Sequence, residues 1–210
     1  MTFDVIATGS TGNAVVINGS ILIDCGVPFK ALEAIKKGLK LVLLTHAHGD
    51  HFRSRTVQTL HKERPTIRWA CCEWMVGPLL EAGVDKRFID VMDAEIFSCY
   101  MGLASIAPVS LVHDVPNCGW RIFADERLFY ATDTATLDGV EAPGYDLYLV
   151  EANHTREELE ARARAKLEAG EFAYEFRAAQ NHLSQEQALD WLYQQMGPNS
   201  KYIFLHQHKK

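Results

Sequence analysis

No apolar run in the sequence is long enough to span a bilayer. The opening residues, MTFDVIATGS, carry neither a basic n-region nor an apolar h-region, so a secretory signal is not expected there and a cytoplasmic location is inferred. Cysteine is sparse. Cys25, Cys71, Cys72, Cys99 and Cys118 are odd in number and form no C-x-x-C pair, so neither a disulfide framework nor a cysteine zinc knuckle is suggested, and buried free thiols are expected. Positive charge is also short: 21 Lys and Arg stand against 27 Asp and Glu, a formal net charge of -6. That disfavours broad nonspecific binding to phosphate backbones, while a local basic groove or a bound metal pair could still hold an anion. Repeats and low-complexity tracts are absent as well.

What is present is a soluble globular composition, 48% hydrophobic and 23% charged, over 210 residues. This length suits one domain, residues 1–210, with ample room for a core. FDVIAT, AVVIN and SILIDC read as short strands, separated by the turn signals Gly9-Ser10-Thr11-Gly12-Asn13 and Asn18-Gly19. Residues 29–38 suggest a short helix, and LKLVLLTH at 39–46 a strand buried on both faces. A helix from Ser54 to before Pro65, a strand at 66–70 and a helix at 72–82 follow. Between 87 and 133 come the short strands RFIDVM, EIFSCY, ASIAPVSLVH, GWRIFA and RLFYAT, with Asp125-Glu126 as a hairpin tip. DLYLVEA at 146–152 is another buried strand. Thr155 with Glu158, and Ser184 with Gln187, have the spacing of capping boxes and predict two helix starts. The charges of 156–171 alternate in sign, which suits a solvated helix, and KYIFLH closes the chain as a strand. Strands in two batches, each followed by helices, predict an α/β four-layer αββα sandwich of two mixed sheets with helices outside.

The densest chemistry is Thr45-His46-Ala47-His48-Gly49-Asp50-His51, on a loop at a strand's carboxyl end. Three imidazoles and one carboxylate within six residues suit a borderline cation such as zinc. On an extended segment His46 and His48 point the same way and can share one ion. Gly49 is expected to let the backbone turn so that Asp50 and His51 face a second ion about 3.5–4 Å from the first. Packing alone is a poor account of such a cluster, since imidazoles repel when protonated and cost desolvation when buried.

H-x-H-x-D-H after a strand resembles the signature of the metallo-β-lactamase superfamily, and further segments fit in order. By this resemblance, Asp24 in LIDCG is a carboxylate that orients a ligand histidine. His113 in SLVHD is a ligand of the first ion. Asp133 in YATDT bridges both ions, and His206 in IFLH, or else His208, is the last ligand. The implied arrangement is one ion on His46, His48 and His113 and another on Asp50, His51 and His206, with Asp133 between them. Zinc is the preferred metal; manganese or iron also suits an all-N/O ligand set.

Gly9-Ser10-Thr11-Gly12-Asn13, Glu151-Ala152-Asn153-His154 and His182-Leu183-Ser184 resemble segments of the YycJ/WalJ-like branch, which is similar to RNase Z and the RNase J group. The likeness implies that Glu151 and His154 support ligands from outside and that His182 contacts the scissile phosphate or protonates the leaving oxygen. Asp50, Asp133 and His182 are then the candidate catalytic residues. Asn181 and Gln185 depart from the branch's pattern, as does the Gln207-His208 that follows His206, and no inserted nuclease domain or long tRNA arm is present. The expected activity is phosphodiester hydrolysis by a metal-bridging hydroxide, on nucleic acid, with DNA preferred over RNA. Hydrolysis of a small ester, thioester or cyclic phosphodiester is the alternative, since cations near the motifs are few: Arg53, Arg55, Arg121, Arg177, Lys209 and Lys210. A non-catalytic metal-binding interaction protein is a third reading, disfavoured by the intact ligand set. An oxygen-reducing di-iron protein is disfavoured because His48 stands where that branch places a carboxylate. Oligomeric state is left open.

Overall fold

A computed structural model of the chain describes residues 1–170 and 180–207. Arg177, His208, Lys209 and Lys210 lie outside the described residues. Two six-stranded mixed sheets and their helices make up the fold, in agreement with the expected class. The first sheet has the order β1 (Phe3–Ala7), β2 (Ala14–Ile17), β3 (Ile21–Ile23), β4 (Leu41–Leu43), β5 (Arg68–Cys71), β6 (Ile89–Val91). The second runs β12 (Lys201–Leu205), β11 (Leu147–Glu151), β10 (Arg127–Ala131), β9 (Asn117–Phe123), β8 (Ala104–Leu111), β7 (Ser98–Tyr100). By compactness the chain divides into two units, Met1–Val109 with Arg121–Asp125, and Ser110–Trp120 with Glu126–Lys210. Among the described residues no helix is long and apolar enough to cross a membrane.

In the first unit, Asn18 and Gly19 both take positive φ, 49° and 62°, and turn β2 back antiparallel to β3. From β3 onward the pairings are parallel, β3 with β4, β4 with β5 and β5 with β6. Leu41–Leu43 is buried throughout, as a strand covered on both faces must be. The helix α1 (Ser54–Glu63) buries Thr56, Val57 and Leu60, one face of a helical turn, and Val57 and Leu60 join the hydrophobic cluster that includes Leu22, Val42 and Trp69. The helix expected at 29–38 is instead a single 3-10 turn, Phe29–Leu32, followed by turns. Pro28 offers no side-chain cap, and the chain bends at Gly38, where an added Cβ would lie 2.6 Å from Gly19 O. The helix expected at 72–82 is split into a 3-10 turn, Glu73–Met75, and α2 (Val76–Glu81). Pro78 has no N–H to donate back to the preceding turn, so the two pieces do not merge into one α-helix. Four cysteines are buried as expected, but Cys99 is exposed; burial pushes the Cys71 thiol up to about 12.

In the second unit, β10, β11 and β12 are parallel neighbours, with Ala131 opposite Val150 and Val150 opposite Phe204. The register brings the carboxyl ends of three strands level, the usual place for a site in a parallel sheet. Phe129, Tyr148 and Trp191 pack their rings together, and Tyr148 Oη donates to Ala142 O at 2.6 Å. The solvated helix α3 (Arg156–Glu168) starts at Thr155, whose Oγ1 accepts from Glu158 N. The helix α4 (Gln185–Gln195) starts with a complete capping box, Ser184 Oγ accepting from Gln187 N and Gln187 Oε1 from Ser184 N. Ser184→Ala is expected to lower stability by about 1 kcal/mol, read as a fall in the midpoint of chemical denaturation; an unchanged midpoint would show that the box contributes nothing.

Candidate metal centre

In the first unit the site is built around Asp24, which follows β3 at φ 60° and is fully buried. Its Oδ1 accepts from Thr45 N at 3.0 Å and Thr45 Oγ1 at 2.9 Å. Its Oδ2 accepts from His51 Nδ1 at 2.6 Å. A carboxylate only accepts, so the His51 proton is on Nδ1 and Nε2 is the ring's acceptor. The His46 ring lies 4.8 Å from that of His48 and 4.2 Å from that of His51, so one loop gathers all three imidazoles. Asp50 Oδ2 is 3.8 Å from His51 Nε2.

The turn inside this loop does not depend on Gly49 as expected. Gly49 is not among the positive-φ residues, and a Cβ there would meet nothing within 4 Å. His51 N and Phe52 N both bond to His48 O, which any residue at 49 permits. The glycine that the loop requires is Gly26, where a Cβ would lie 1.7 Å from Asp50 O. Cys25 N donates to His51 O at 2.8 Å, so the strand-end segment and the histidine loop run in main-chain contact.

In the second unit, Asp133 and His206 follow β10 and β12 at φ 55° and 53°. Between them Glu151 ends β11, wholly buried. Its Oε2 accepts from Thr134 N at 3.0 Å and its Oε1 faces His182 Nδ1 at 2.5 Å and His206 Nδ1 at 3.2 Å. The His182 and His206 rings stack at 5.2 Å and 18°. Asp133 Oδ1 lies 3.4 Å from His182 Nδ1 and 3.6 Å from His206 Nε2. Asp133, Glu151, His182 and His206 each offer an atom within 4.8 Å of the others, a donor set of nitrogen and oxygen that fits a divalent cation. Burial pushes the Glu151 carboxyl up, but the bonds from His182 and His206 outweigh it and hold the group below its ordinary range. Burial likewise opposes protonation of His182, yet the Glu151 carboxylate beside it lifts it above the usual histidine value.

His113 belongs to the same unit. Its ring is 5.4 Å from that of His182, with Nδ1 3.1 Å from Asn181 O, and burial lowers its pKa. His154 stands apart. Its Nδ1 is 3.4 Å from Asn153 Oδ1, its main chain bridges Ser184, and among the described residues it is in none of the clusters that could hold an ion. Three amides that sequence reasoning did not single out touch the candidate ligands. Asn13 reaches Asp50 and His51. Asn117 Nδ2 donates to Asp133 O at 2.7 Å, and Asn153 Nδ2 to His206 O at 3.2 Å. Asn13 and Asn153 had a visible signal, their places in the Gly9–Asn13 turn and in the Glu151-Ala152-Asn153-His154 segment, whereas Asn117 had none. Arg121 does not serve as a spare cation, since its Nε pairs with Glu95 Oε2 at 3.0 Å.

Residues 20–206 match the family described as Beta-lactamase superfamily domain. No curated protein matches the chain in sequence. Among solved structures, the short form of human tRNase Z superposes with a TM-score of 0.73 at 15% identity, covering 100% of this chain and 93% of that one. The metallo-beta-lactamase fold protein YhfI from Bacillus subtilis gives 0.74 at 15% identity, covering 99% and 87%. A diphosphatase from the PhnP family gives 0.64 at 15% identity, covering 98% and 85%. At such identities the likeness is one of fold.

Gly26→Ala is expected to displace the Asp50 carbonyl and destabilise the protein by about 2–3 kcal/mol, whereas Gly77→Ala, in α2 with open space around it, should be neutral or stabilising by about 0.5–1 kcal/mol. Equal unfolding midpoints for the two variants would contradict the close approach.

Proposed function

Because the chain belongs to the family of beta-lactamase superfamily domains, we propose that residues 1–210 act as one catalytic domain, a binuclear metal-dependent phosphodiesterase. In this reading His46, His48 and His113 hold one cation, Asp50, His51 and His206 hold the other, and Asp133 serves both. The observation that carries it is the Glu151 cluster: one buried carboxylate fixes two stacked imidazoles beside Asp133 at the level ends of three parallel strands. Zinc is the preferred metal, with manganese or iron also compatible with the donors.

The bound cations would lower the pKa of a water and neutralise charge on the phosphoryl oxygens. The chain's own residues supply orientation and proton transfer. Asp24 keeps the His51 proton on Nδ1, so that Nε2 faces the site. Glu151 does the same for His206 and, by lifting His182, keeps it protonated closer to neutral pH. His182 then acts as general acid: water, having given up one proton to solvent, attacks phosphorus in line, the P–O bond to the leaving group breaks, and the leaving oxygen takes the His182 proton. Asp50 and Asp133 orient the attacking water in addition to their part as ligands.

Nucleic acid, DNA in preference to RNA, is the proposed substrate, and the YycJ/WalJ-like branch the proposed assignment. Support comes from three segments, around Asn13, around Glu151 and at His182-Leu183-Ser184. A small ester, thioester or cyclic phosphodiester is a second reading, favoured by the pairing of Arg121 with Glu95 and the net charge of -6. Purified protein assayed in parallel on duplex DNA, single-stranded DNA, RNA, a bis-aryl phosphate and a thioester separates the two. Asp133→Ala should lose bound metal and more than about 100-fold in activity, whereas His182→Ala should keep its metal and lose about 10²–10⁴ in kcat. Wild-type metal content and rate in Asp133→Ala would overturn the assignment.

A further inference from the structure

Asn13 is 1% exposed and lies between two main-chain segments of the first unit. Its side-chain oxygen accepts from Gly9 N at 2.9 Å, which fixes the amide orientation and leaves Nδ2 as the donor toward the metal loop. That nitrogen has two hydrogens and four acceptors in reach: Gly9 O at 3.1 Å, Asp50 O at 3.2 Å, Asp50 Oδ2 at 3.4 Å and His51 Nε2 at 2.8 Å. The main chain adds a further tie, Asn13 N donating to Asp50 O at 2.7 Å.

The shortest side-chain contact decides the argument. Asp24 holds the His51 proton on Nδ1, so Nε2 has one lone pair, and the Asn13 amide and a cation cannot both use it. We propose that Asn13 is a positioning residue that takes the cation's place on His51 Nε2 when no metal is bound, keeping the loop from His46 to His51 in its ligating shape, and that it retreats to its other acceptors when a cation arrives. The retreat is cheap because Gly9 O and Asp50 O already lie within reach of the same nitrogen. The inference rests on the proposed metal site for what displaces the amide.

Amide hydrogen exchange over residues 46–52, with and without saturating zinc, tests it on the full chain. Asn13→Ala removes the whole side chain. Asn13→Asp keeps the oxygen that accepts from Gly9 N and loses the donor, so it preserves the turn if Asn13→Ala proves too unstable. Either variant, stripped of metal by a chelator, should exchange roughly tenfold faster in this loop than the wild type, the equivalent of about one buried hydrogen bond. With zinc bound the difference should shrink to less than about threefold, because the cation now does what the amide did. A residue with only a structural role would loosen the loop equally in both conditions, and that result overturns the inference. Identical exchange in the stripped proteins also overturns it. Absence of any zinc protection in the wild type overturns the metal reading itself, and this inference with it, so the two failures are told apart.

Discussion

A carboxylate removed from water must be met by donors, and two buried carboxylates organise the candidate site residues around them. Asp24 is satisfied by Thr45 and His51, and Glu151 by Thr134, His182 and His206. In each case the demand for donors is what turns the imidazoles: with Nδ1 committed to the carboxylate, Nε2 is presented on the other side. The strand registers serve this purpose, since they place Asp24 beside Thr45 and Glu151 between Asp133 and His206.

The same positions carry backbone cost. Asp24 and His206 directly after a strand, and Asp133 two residues past one, each take a left-handed φ, a conformation that disfavours residues with a Cβ by about 1–2 kcal/mol. Three such residues at three strand ends, all candidate site residues, fit the general pattern of strain concentrated where function fixes a side chain's direction. Asn117, bonded to Asp133 O, and Asn153, bonded to His206 O, hold two of these turns from the outside.

Much of this was legible in the sequence because it is written locally. The Asn18-Gly19 turn, the helix after Ser54 and the Ser184 capping box depend on neighbours a few residues away, and each lies where its pattern places it; the strands also occur where expected, though several are shorter, β4 spanning Leu41–Leu43 within 39–46. The histidine loop was legible because four donors in six residues have no packing explanation. What escaped depends on contacts distant in sequence. The need for glycine at 26 comes from the Asp50 carbonyl, 24 positions away, while Gly49, expected to let the backbone turn, has no positive φ and open surroundings. The 29–38 segment has helical composition, yet it has no cap and is bent where Gly38 meets Gly19. Arg121 read as a free cation because Glu95 is 26 residues away.

The proposed use of the histidine loop and of Asp133, His113 and His206 as ligands for two cations is open to a direct measurement. Anomalous diffraction from crystals of the zinc-loaded protein measures this directly. The account predicts two anomalous peaks, one ligated by His46, His48 and His113, the other by Asp50, His51 and His206, with Asp133 touching both. A single peak confined to one donor set, or zinc bound only at surface residues, would contradict it.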